Sequence, residues 1–317
     1  MKLAFAGTPG FGAHVLTDLV DRGLRPTLVV SQPDRPAGRG RHATPPPVAV
    51  AADQAGLPLV QTADINHPEV IAALEASGAE CLLVAAFGQL LRDDILARFL
   101  CVNVHASLLP HYRGAAPIVR ALMAGEPETG VSIMRMTRGL DEGPWALQRR
   151  LSISVWDDAG SLGRALALTG ALAAEQVLQA LVDGTARWSE QPIEGSYAAK
   201  LGPGDRLLDA RLSARRLHDR VRALAPAVGC EGRTEQGFAF KVWRSFPEGP
   251  EALSGDTGRL AATGQRLFLG CADGALELLT VQPSGKRSMR ASEFLRGYGG
   301  RLNDRLACPH EGGGEGD

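Results

Sequence analysis

Aromatic residues and lysines are scarce in this 317-residue sequence. Aromatics make up 5% of it, and only four of its 34 basic residues are lysines. With 35 acidic residues the formal net charge is -1, so neither sign dominates the whole chain. A composition of 44% hydrophobic and 22% charged residues excludes a disordered chain or a strongly charged tail protein. The core must consist mainly of alanine, leucine and valine, and the length predicts about two domains.

Signals for metal binding, secretion and membrane insertion are also lacking. No metal-ligand spacing occurs among the five cysteines, which are Cys81, Cys101, Cys230, Cys271 and Cys308. The first apolar run ends at Gly7, so we expect no signal peptide, and no apolar run approaches the ~20 residues that cross a bilayer. We therefore expect a cytoplasmic protein with unpaired thiols, without a bound metal and away from membranes.

Apolar strand patterns alternate with helical patterns through the first half of the chain. Strands are predicted at residues 3–6, 27–30, 57–60, 81–87, 101–104, 131–136 and 147–155. Helices are predicted at residues 11–20, 70–74, 116–124 and 161–181. This alternation predicts an α/β domain over residues 1–183, with a mostly parallel sheet and helices on both faces.

The pattern changes after Asp183. Residues 184–205 are rich in glycine and proline and predict a linker. Beyond it, an arginine-rich helix capped by Ser213 and several short strands predict a small β-barrel domain over residues 206–307, followed by a disordered tail at 308–317. Residues 206–307 carry 17 basic against 11 acidic side chains. That excess fits a nucleic-acid partner and fits an ordinary solvated surface about equally well.

Two segments follow predicted strands, at the position where α/β proteins usually bind ligands. The turn GTPGFG at residues 7–12 is not a dinucleotide fingerprint, because the third glycine position is Val15 and no acidic residue ends the second strand. The loop at residues 31–41 carries Arg35, Arg39 and Arg41 among glycines and prolines. It is either a solvated loop or a phosphate clamp, and its place at the carboxyl end of a strand favours the clamp.

Three further residues form a candidate catalytic set. Asn103 and His105 are two apart on a predicted strand, so both side chains face the same side of the sheet. A histidine there can exchange a proton near neutral pH, and an amide can donate to a developing oxyanion. Asp141, in a glycine-flanked loop, could hold the His105 ring in one orientation. Taken alone, His105 and Asp141 are each better explained by a structural role.

Taken together, these segments resemble the methionyl-tRNA formyltransferases, a branch of the formyltetrahydrofolate-dependent formyltransferases. The resemblance covers residues 1 to about 306. Its motifs follow in family order: AGTP at 6–9, QPDRPAGRG at 32–40, NVHASLLP at 103–110, RGAAPI at 113–118, ETGV at 128–131, GLD at 139–141 and QPSGK at 282–286. The resemblance implies an N-terminal Rossmann-like domain and a C-terminal domain like an OB barrel.

The resemblance also implies an activity and roles for residues. The family moves a formyl group from 10-formyltetrahydrofolate to the α-amine of methionyl initiator tRNA, without a metal. Asn103, His105 and Asp141 match its catalytic residues. Its folate-binding positions match Phe87, Gly88, Ser107, Leu108, Leu109 and Pro110, and its tRNA-binding loop matches Arg35, Arg39 and Arg41. We expect a monomer.

This sequence departs from the family pattern at several positions. Pro144 stands where the family usually has aspartate, and Ala210 and Ala227 replace tryptophans of the second domain. Two other functions compete with the family's. A formyltransferase acting on a small amine, such as glycinamide ribonucleotide or an amino sugar, would share the catalytic set but should lack the arginine loop and the basic barrel. A non-catalytic RNA-binding module would not need the catalytic set.

Overall fold

The computed structural model describes residues 1–37, 42–301 and 305–307. The chain divides into two compact units. Unit 1 comprises Met1–Pro117, Pro127–Ile153 and Leu162–Ala199, and unit 2 comprises Ile118–Glu126, Ser154–Ser161 and the described residues from Lys200 onward. The segment predicted as a linker, residues 184–205, is therefore divided, and its part up to Ala199 belongs to unit 1.

Unit 1 is built on a seven-stranded sheet with the order β5-β2-β1-β6-β7-β8-β9. The five parallel strands are β1 (Leu3–Gly7), β2 (Leu28–Ser31), β5 (Leu59–Gln61), β6 (Cys81–Ala85) and β7 (Leu100–His105). Strands β8 (Glu128–Arg135) and β9 (Trp145–Ser152) continue the sheet antiparallel. The short pair β3 (Arg35–Ala37) and β4 (His42–Thr44) lies outside this sheet.

Helices cover both faces of the unit 1 sheet. One face packs against α3 (Pro68–Ala76) and α4 (Asp93–Arg98), through a core that includes Ile71, Leu74 and Ile95. The other carries α1 (Gly10–Asp21), α2 (Pro47–Gln54) and α6 (Ala159–Val182). Gly170 of α6 shows how closely that helix approaches, because a Cβ there would lie 2.6 Å from a methyl carbon of Val104 on β7. The predicted parallel sheet with helices on both faces is confirmed.

Helix α6 is also the one helix of the described residues with the length and hydropathy of a membrane span. This differs from the expectation that no apolar run approaches the length that crosses a bilayer. By composition alone the helix could cross a bilayer, but the core helix of a soluble domain passes the same test. Ten of its residues are buried in the structure, among them Leu162, Leu166 and Leu178. One face of the helix therefore packs in unit 1, while Leu168, Leu172 and Val182 are exposed.

Unit 2 is an antiparallel domain with the strand order β10-β11-β14-β13-β12. Its strands are β10 (Cys230–Arg233), β11 (Ala239–Phe246), β12 (Leu260–Thr263), β13 (Arg266–Gly270) and β14 (Ala275–Pro283), with β15 (Met289–Arg290) paired to β14. Arg305 bridges to Arg259 beside one outer strand, and Leu306 bridges to Thr234 beside the other. These bridges bring the two edges of the sheet together, as in a barrel.

Three helices complete unit 2 and its borders: α5 (Pro117–Ala124), α7 (Ala214–Leu224) and α8 (Ala291–Tyr298). The predicted cap of α7 is confirmed, since the Ser213 hydroxyl accepts a hydrogen bond from the Arg216 amide. Leu217, Val221 and Leu224 of α7 lie in the barrel core.

The described cysteines are structural. Cys81, Cys101, Cys230 and Cys271 are unpaired and buried. Burial raises the pKa of each of these thiols to about 12, so they stay protonated and unreactive at neutral pH.

Candidate active site

The candidate site lies at the carboxyl edge of the parallel strands. Asn103 and His105 end β7, and their side chains alternate with Val104, which faces α6. They lie on the face that also carries Cys101 and the α3–α4 core. Asn103 is 8% exposed and His105 is 5% exposed. The predicted pair of polar side chains on one face is present, and both are buried.

Asp141 meets both of these residues. Its Oδ2 atom lies 3.6 Å from His105 Nδ1, and its side chain is 12% exposed. Its Oδ1 atom lies 3.4 Å from Asn103 Nδ2, and Oδ2 accepts a hydrogen bond of 2.8 Å from the Gly114 amide. The other ring nitrogen of His105, Nε2, lies 2.9 Å from the Tyr112 carbonyl oxygen. The structure therefore brings Asn103, His105 and Asp141 together in one cluster, in which Asn103 and His105 are buried and Asp141 is partly buried.

The loop at residues 139–143 needs special backbone geometry to present this carboxylate. Asp141 adopts a φ of 54°, in the left-handed region that non-glycine residues rarely occupy. A Cβ at Gly143 would lie 1.9 Å from the Arg135 carbonyl oxygen, so only glycine fits there. Pro144, which departs from the family pattern, still accepts a 2.8 Å hydrogen bond from the Arg135 amide through its carbonyl. The sheet pairing beside the loop is thus kept.

The segment Ser107, Leu108, Leu109 and Pro110 directly follows β7. Ser107 is fully buried, and its hydroxyl donates to the His111 carbonyl at 2.6 Å. The buried hydroxyl of Ser132 donates to the Ser107 carbonyl, and Gln148 donates to the Leu109 carbonyl at 2.8 Å. The segment is therefore fixed to β8 and β9 by side chains that the sequence analysis does not single out.

Phe87 and Gly88 form a turn after β6. Ala86 and Gly88 both have positive φ values, of 51° and 80°, which ends the strand at Ala85 instead of residue 87 as predicted. The Phe87 side chain is buried, and its carbonyl accepts hydrogen bonds from Thr8 at 2.9 Å and Gln32 at 2.8 Å. These contacts join the ends of β1, β2 and β6.

An open cleft of about 730 Å³ lies beside this turn. Its lining is formed by Ala63, Asp64, Asn66, Gln89, Leu90, Leu91, Arg92, Asp93 and Arg138. Arg138 immediately precedes the loop that carries Asp141, and Gln89 immediately follows Gly88. The volume is typical of small-molecule sites.

Of the predicted arginine clamp, only Arg35 lies within the described residues. It is exposed on β3, and its guanidinium donates to the Gln32 side chain at 2.5 Å. Arg39 and Arg41 lie outside the described residues. Over the parts of the chain that the structure describes, no group of three or more histidine, cysteine or acidic side chains could hold a metal ion.

The site also includes Gln191 and Arg113, whose roles the sequence does not reveal. Gln191 donates hydrogen bonds to the carbonyl oxygens of Asp141 and Gly143, and it accepts two from Arg113. It lies in the glycine- and proline-rich segment predicted as a linker, 50 positions beyond Asp141. No periodicity or local motif connects residues so far apart.

Comparison with known proteins assigns the class. The family model "Formyl transferase" matches residues 1–178, and "Formyl transferase, C-terminal domain" matches residues 200–299. The chain belongs to the formyl transferase family.

The curated relatives are methionyl-tRNA formyltransferases. That of Rubrobacter xylanophilus is 47% identical over 302 residues, covering 94% of this chain and 97% of its own length. That of Halorhodospira halophila is 41% identical over 305 residues, covering 93% and 96%.

Solved structures share the fold at low identity. HypX from Aquifex aeolicus, determined with tetrahydrofolic acid, has a TM-score of 0.64 at 16% identity, over 93% of this chain and 47% of that one. The sugar 3N-formyl transferase WlaRD has a TM-score of 0.62 at 15% identity, over 90% and 99%.

Proposed function

We propose that this protein transfers the formyl group of 10-formyltetrahydrofolate to the α-amine of methionyl initiator tRNA, giving N-formylmethionyl-tRNA. The observation that carries the proposal is the cluster of Asn103, His105 and Asp141 in a chain that is 47% identical to a methionyl-tRNA formyltransferase over nearly its full length. The product serves the initiation of translation.

The reaction requires proton transfer and stabilisation of an oxyanion. The neutral amine attacks the formyl carbon, which leaves a negative charge on the formyl oxygen and a positive charge on the attacking nitrogen. That nitrogen then loses a proton, the bond from the formyl carbon to N10 of the folate breaks, and N10 takes up a proton. A histidine and an amide donor are the residue types that such steps need.

We assign these tasks to the cluster. His105 accepts the proton and helps to hold the oxygen, and Asp141 orients the His105 ring and stabilises it when it is charged. An amide nitrogen carries two N–H groups, so Asn103 can face Asp141 with one and donate to the reacting oxygen with the other. The buried setting strengthens these electrostatic interactions.

Two regions of unit 1 are proposed to hold the folate. Phe87 and Gly88 directly precede Gln89, which lines the cleft beside Arg138, and the volume of that cleft suits a ligand of this size. Ser107, Leu108, Leu109 and Pro110 follow His105 directly, so a ligand bound along them lies beside the reacting groups. Since the family's reaction uses no metal, none is assigned to the site.

The tRNA is proposed to contact Arg35, Arg39 and Arg41 and the second domain, residues 206–307. Support comes from the 17 basic against 11 acidic side chains of that domain and from the exposure of Arg35. The proposal includes a monomer that acts in the cytoplasm and not at a membrane. Four buried, unpaired cysteines are consistent with a reducing compartment.

The proposal is tested by supplying 10-formyltetrahydrofolate with a radiolabelled formyl group. We expect label to appear on methionyl initiator tRNA and, after alkaline hydrolysis, on N-formylmethionine. Glycinamide ribonucleotide and a nucleotide-linked amino sugar serve as alternative acceptors. Efficient labelling of either one, with none of the tRNA, would assign the site to a small-amine formyltransferase. Absence of any transfer, with tRNA binding intact, would favour a non-catalytic RNA-binding module.

A further inference from the structure

The side-chain amide of Gln191 links two loops of the site. Its Nε2 atom donates to the carbonyl oxygens of Asp141 at 2.8 Å and Gly143 at 2.7 Å. Its Oε1 atom accepts from Nε and Nη2 of Arg113, at 3.1 and 2.9 Å. Both N–H groups and both oxygen lone pairs of the amide are therefore used, which fixes the amide's orientation without ambiguity.

The two carbonyls belong to a loop whose backbone includes a left-handed residue. Asp141 has a left-handed φ of 54°, a conformation that costs an aspartate free energy unless its surroundings stabilise it. The loop lies between β8 and β9, so no helix or sheet ladder holds Asp141 itself. Gln191 donates hydrogen bonds to this loop at the carbonyl oxygens of Asp141 and Gly143.

Arg113, which binds the Gln191 side chain, makes further hydrogen bonds of its own. Arg113 also donates to the Pro192 carbonyl at 3.1 Å. Its backbone amide donates to the Ser196 carbonyl at 2.9 Å, and its carbonyl accepts from the Ala198 amide at 2.6 Å. The segment that follows Gln191 is thus paired along the loop that precedes α5, so the amide cannot shift without breaking several hydrogen bonds.

The same two loops meet a second time at the carboxylate. The amide of Gly114, next to Arg113, donates to Asp141 Oδ2, the oxygen that lies 3.6 Å from His105 Nδ1. The Asp141 backbone is therefore fixed through Gln191 and its side chain through Gly114. Without the hydrogen bonds from Gln191, the contacts from Gly114 and Asn103 would have to hold the carboxylate at His105 while its loop backbone lost that support.

We infer that Gln191 is a positioning residue for formyl transfer. It holds Asp141 in the conformation that places the carboxylate at His105, and it acts through Asp141 without touching substrate. The inference rests on the proposed function. It also assigns a specific task to part of the segment between the two family domains, which lies outside both matched ranges.

Two substitutions separate the carbonyl contacts from the arginine contact. Gln191→Met keeps the length of the side chain and removes all four hydrogen bonds. Gln191→Glu keeps the shape and the pairing with Arg113, but it cannot donate and sets a carboxylate oxygen against two carbonyl oxygens. Gln176→Met is the matched control, because Gln176 is a glutamine of unit 1 whose bond from Arg149, at 2.7 Å, lies on the exposed surface.

The measurement is kcat and KM for methionyl initiator tRNA and for 10-formyltetrahydrofolate. Misplacing a catalytic group by about 1 Å can cost about 100-fold, so we expect kcat of Gln191→Met to fall by roughly 10- to 100-fold. Both KM values should change less than about threefold, and Gln176→Met should match the unmodified protein. Gln191→Glu should fall at least as far as Gln191→Met, although its Arg113 pairing is intact. If Gln191→Met fails to fold, Gln191→Glu provides the test.

A double-mutant cycle with Asp141→Asn tests the route of the effect. A residue that acts through Asp141 has no further influence once that carboxylate is gone, so adding Gln191→Met to Asp141→Asn should change kcat less than about twofold. If Gln191→Met lowered kcat by the same factor in the Asp141→Asn background as in the unmodified protein, the inference would be wrong. It would also be wrong if both Gln191 variants of an active enzyme kept an unchanged kcat. Either result would leave the proposed function standing. If the unmodified protein transfers no formyl group to the tRNA, the proposed function fails and the inference fails with it.

Discussion

His105 Nε2 lies 2.9 Å from the carbonyl oxygen of Tyr112, while Nδ1 of the same ring faces Asp141. A carbonyl oxygen can only accept, so Nε2 carries a proton in this arrangement. Nδ1 is therefore the ring nitrogen that can accept a proton, and the charged ring that results lies between two acceptors, the Tyr112 carbonyl and Asp141. The orientation of His105 therefore depends on the loop that carries Tyr112, and Gly114 of that loop also binds the Asp141 carboxylate.

Removing either partner of this pair should abolish most catalysis. His105→Ala deletes the proton acceptor, and Asp141→Ala deletes the group that orients and stabilises it. We expect kcat to fall by roughly 100- to 10,000-fold in each variant. KM for 10-formyltetrahydrofolate should change far less, because neither side chain is assigned to folate binding. Steady-state kinetics on folded variants provides the check, and near-normal turnover of either one would refute the assigned mechanism.

Asn103 offers a test of charge at the developing oxyanion. Asn103→Asp keeps the size of the side chain but places a second carboxylate beside Asp141, whose Oδ1 lies 3.4 Å from Asn103 Nδ2. Asn103→Gln keeps the amide. We expect kcat of Asn103→Asp to be at least roughly tenfold below that of Asn103→Gln. Equal rates in the two variants would remove Asn103 from the oxyanion role.

The arginine loop should govern tRNA binding through its attraction to phosphates. Replacing Arg35, Arg39 and Arg41 by alanine should raise KM for methionyl-tRNA. It should also flatten the dependence of log affinity on log salt, by roughly 0.7–0.9 for each phosphate that these arginines neutralise. Binding of 10-formyltetrahydrofolate should be almost unchanged, because its assigned residues lie in other segments.

A salt series on the unmodified protein and on Arg22→Ala supplies the reference for that experiment. Arg22 is a surface arginine paired with Glu175 at 3.1 Å, and it caps the end of helix α1 instead of lying in the loop. If the tRNA kinetics of the triple variant matched those of the unmodified protein and of Arg22→Ala at every salt concentration, the loop would be a passive insertion. If the triple variant failed to bind folate but bound tRNA normally, the loop would belong to the folate site and not to the tRNA site.

The barrel unit contains a histidine whose titration should reduce stability in acid. Burial lowers the pKa of His218 from its ordinary value of 6.5, although the Val155 carbonyl and nearby Asp219 oppose the shift. Ser245 and Arg222 also surround it, and burial favours the neutral form of the ring in the folded state. Below about pH 6.5 the unfolded chain takes up a proton that the folded chain does not. The free energy of unfolding therefore decreases as pH falls from about 6.5 towards the lowered pKa of the folded state, by up to about 1.4 kcal/mol per pH unit.

His218→Gln removes this effect while keeping a side chain that can bond to Ser245 and to the Val155 carbonyl. We expect the melting temperature of the unmodified protein to fall more between about pH 7.5 and pH 5.5 than that of the variant. Above about pH 7 the two pH dependences should run parallel. Identical slopes over the whole range would mean that His218 does not titrate with folding.

Much of the architecture can be predicted from periodicity, because apolar residues recur along a strand or helix at the period of that element. The strands around residues 3–6 and 101–104 and the stripe of Leu217, Val221 and Leu224 are examples. Short elements without a clear apolar pattern escape prediction, including α2, α4, α8 and β10. Strand β2 is as short as β10, but its sequence LVVS is an apolar run, whereas that of β10 is CEGR.

The site is predictable only where its residues lie close in the sequence or match the family motif. Asn103 and His105 share a strand, and Asp141 is a candidate from its glycine-flanked loop that the resemblance then supports. Gln191 is not predictable, because its contacts with Asp141 and Arg113 span 50 and 78 positions and exist only in the folded chain. A segment rich in glycine and proline resembles a linker whether or not one of its side chains supports an active site.

The most direct test of the whole account is a competition for a limiting amount of labelled formyl donor. Methionyl initiator tRNA, glycinamide ribonucleotide and a nucleotide-linked amino sugar are present together at equal concentration with the purified protein. The account predicts that nearly all label appears on the tRNA, and that Asp141→Ala abolishes the transfer. Label distributed mainly to either small amine, or transfer to tRNA that persists undiminished in Asp141→Ala, would contradict it.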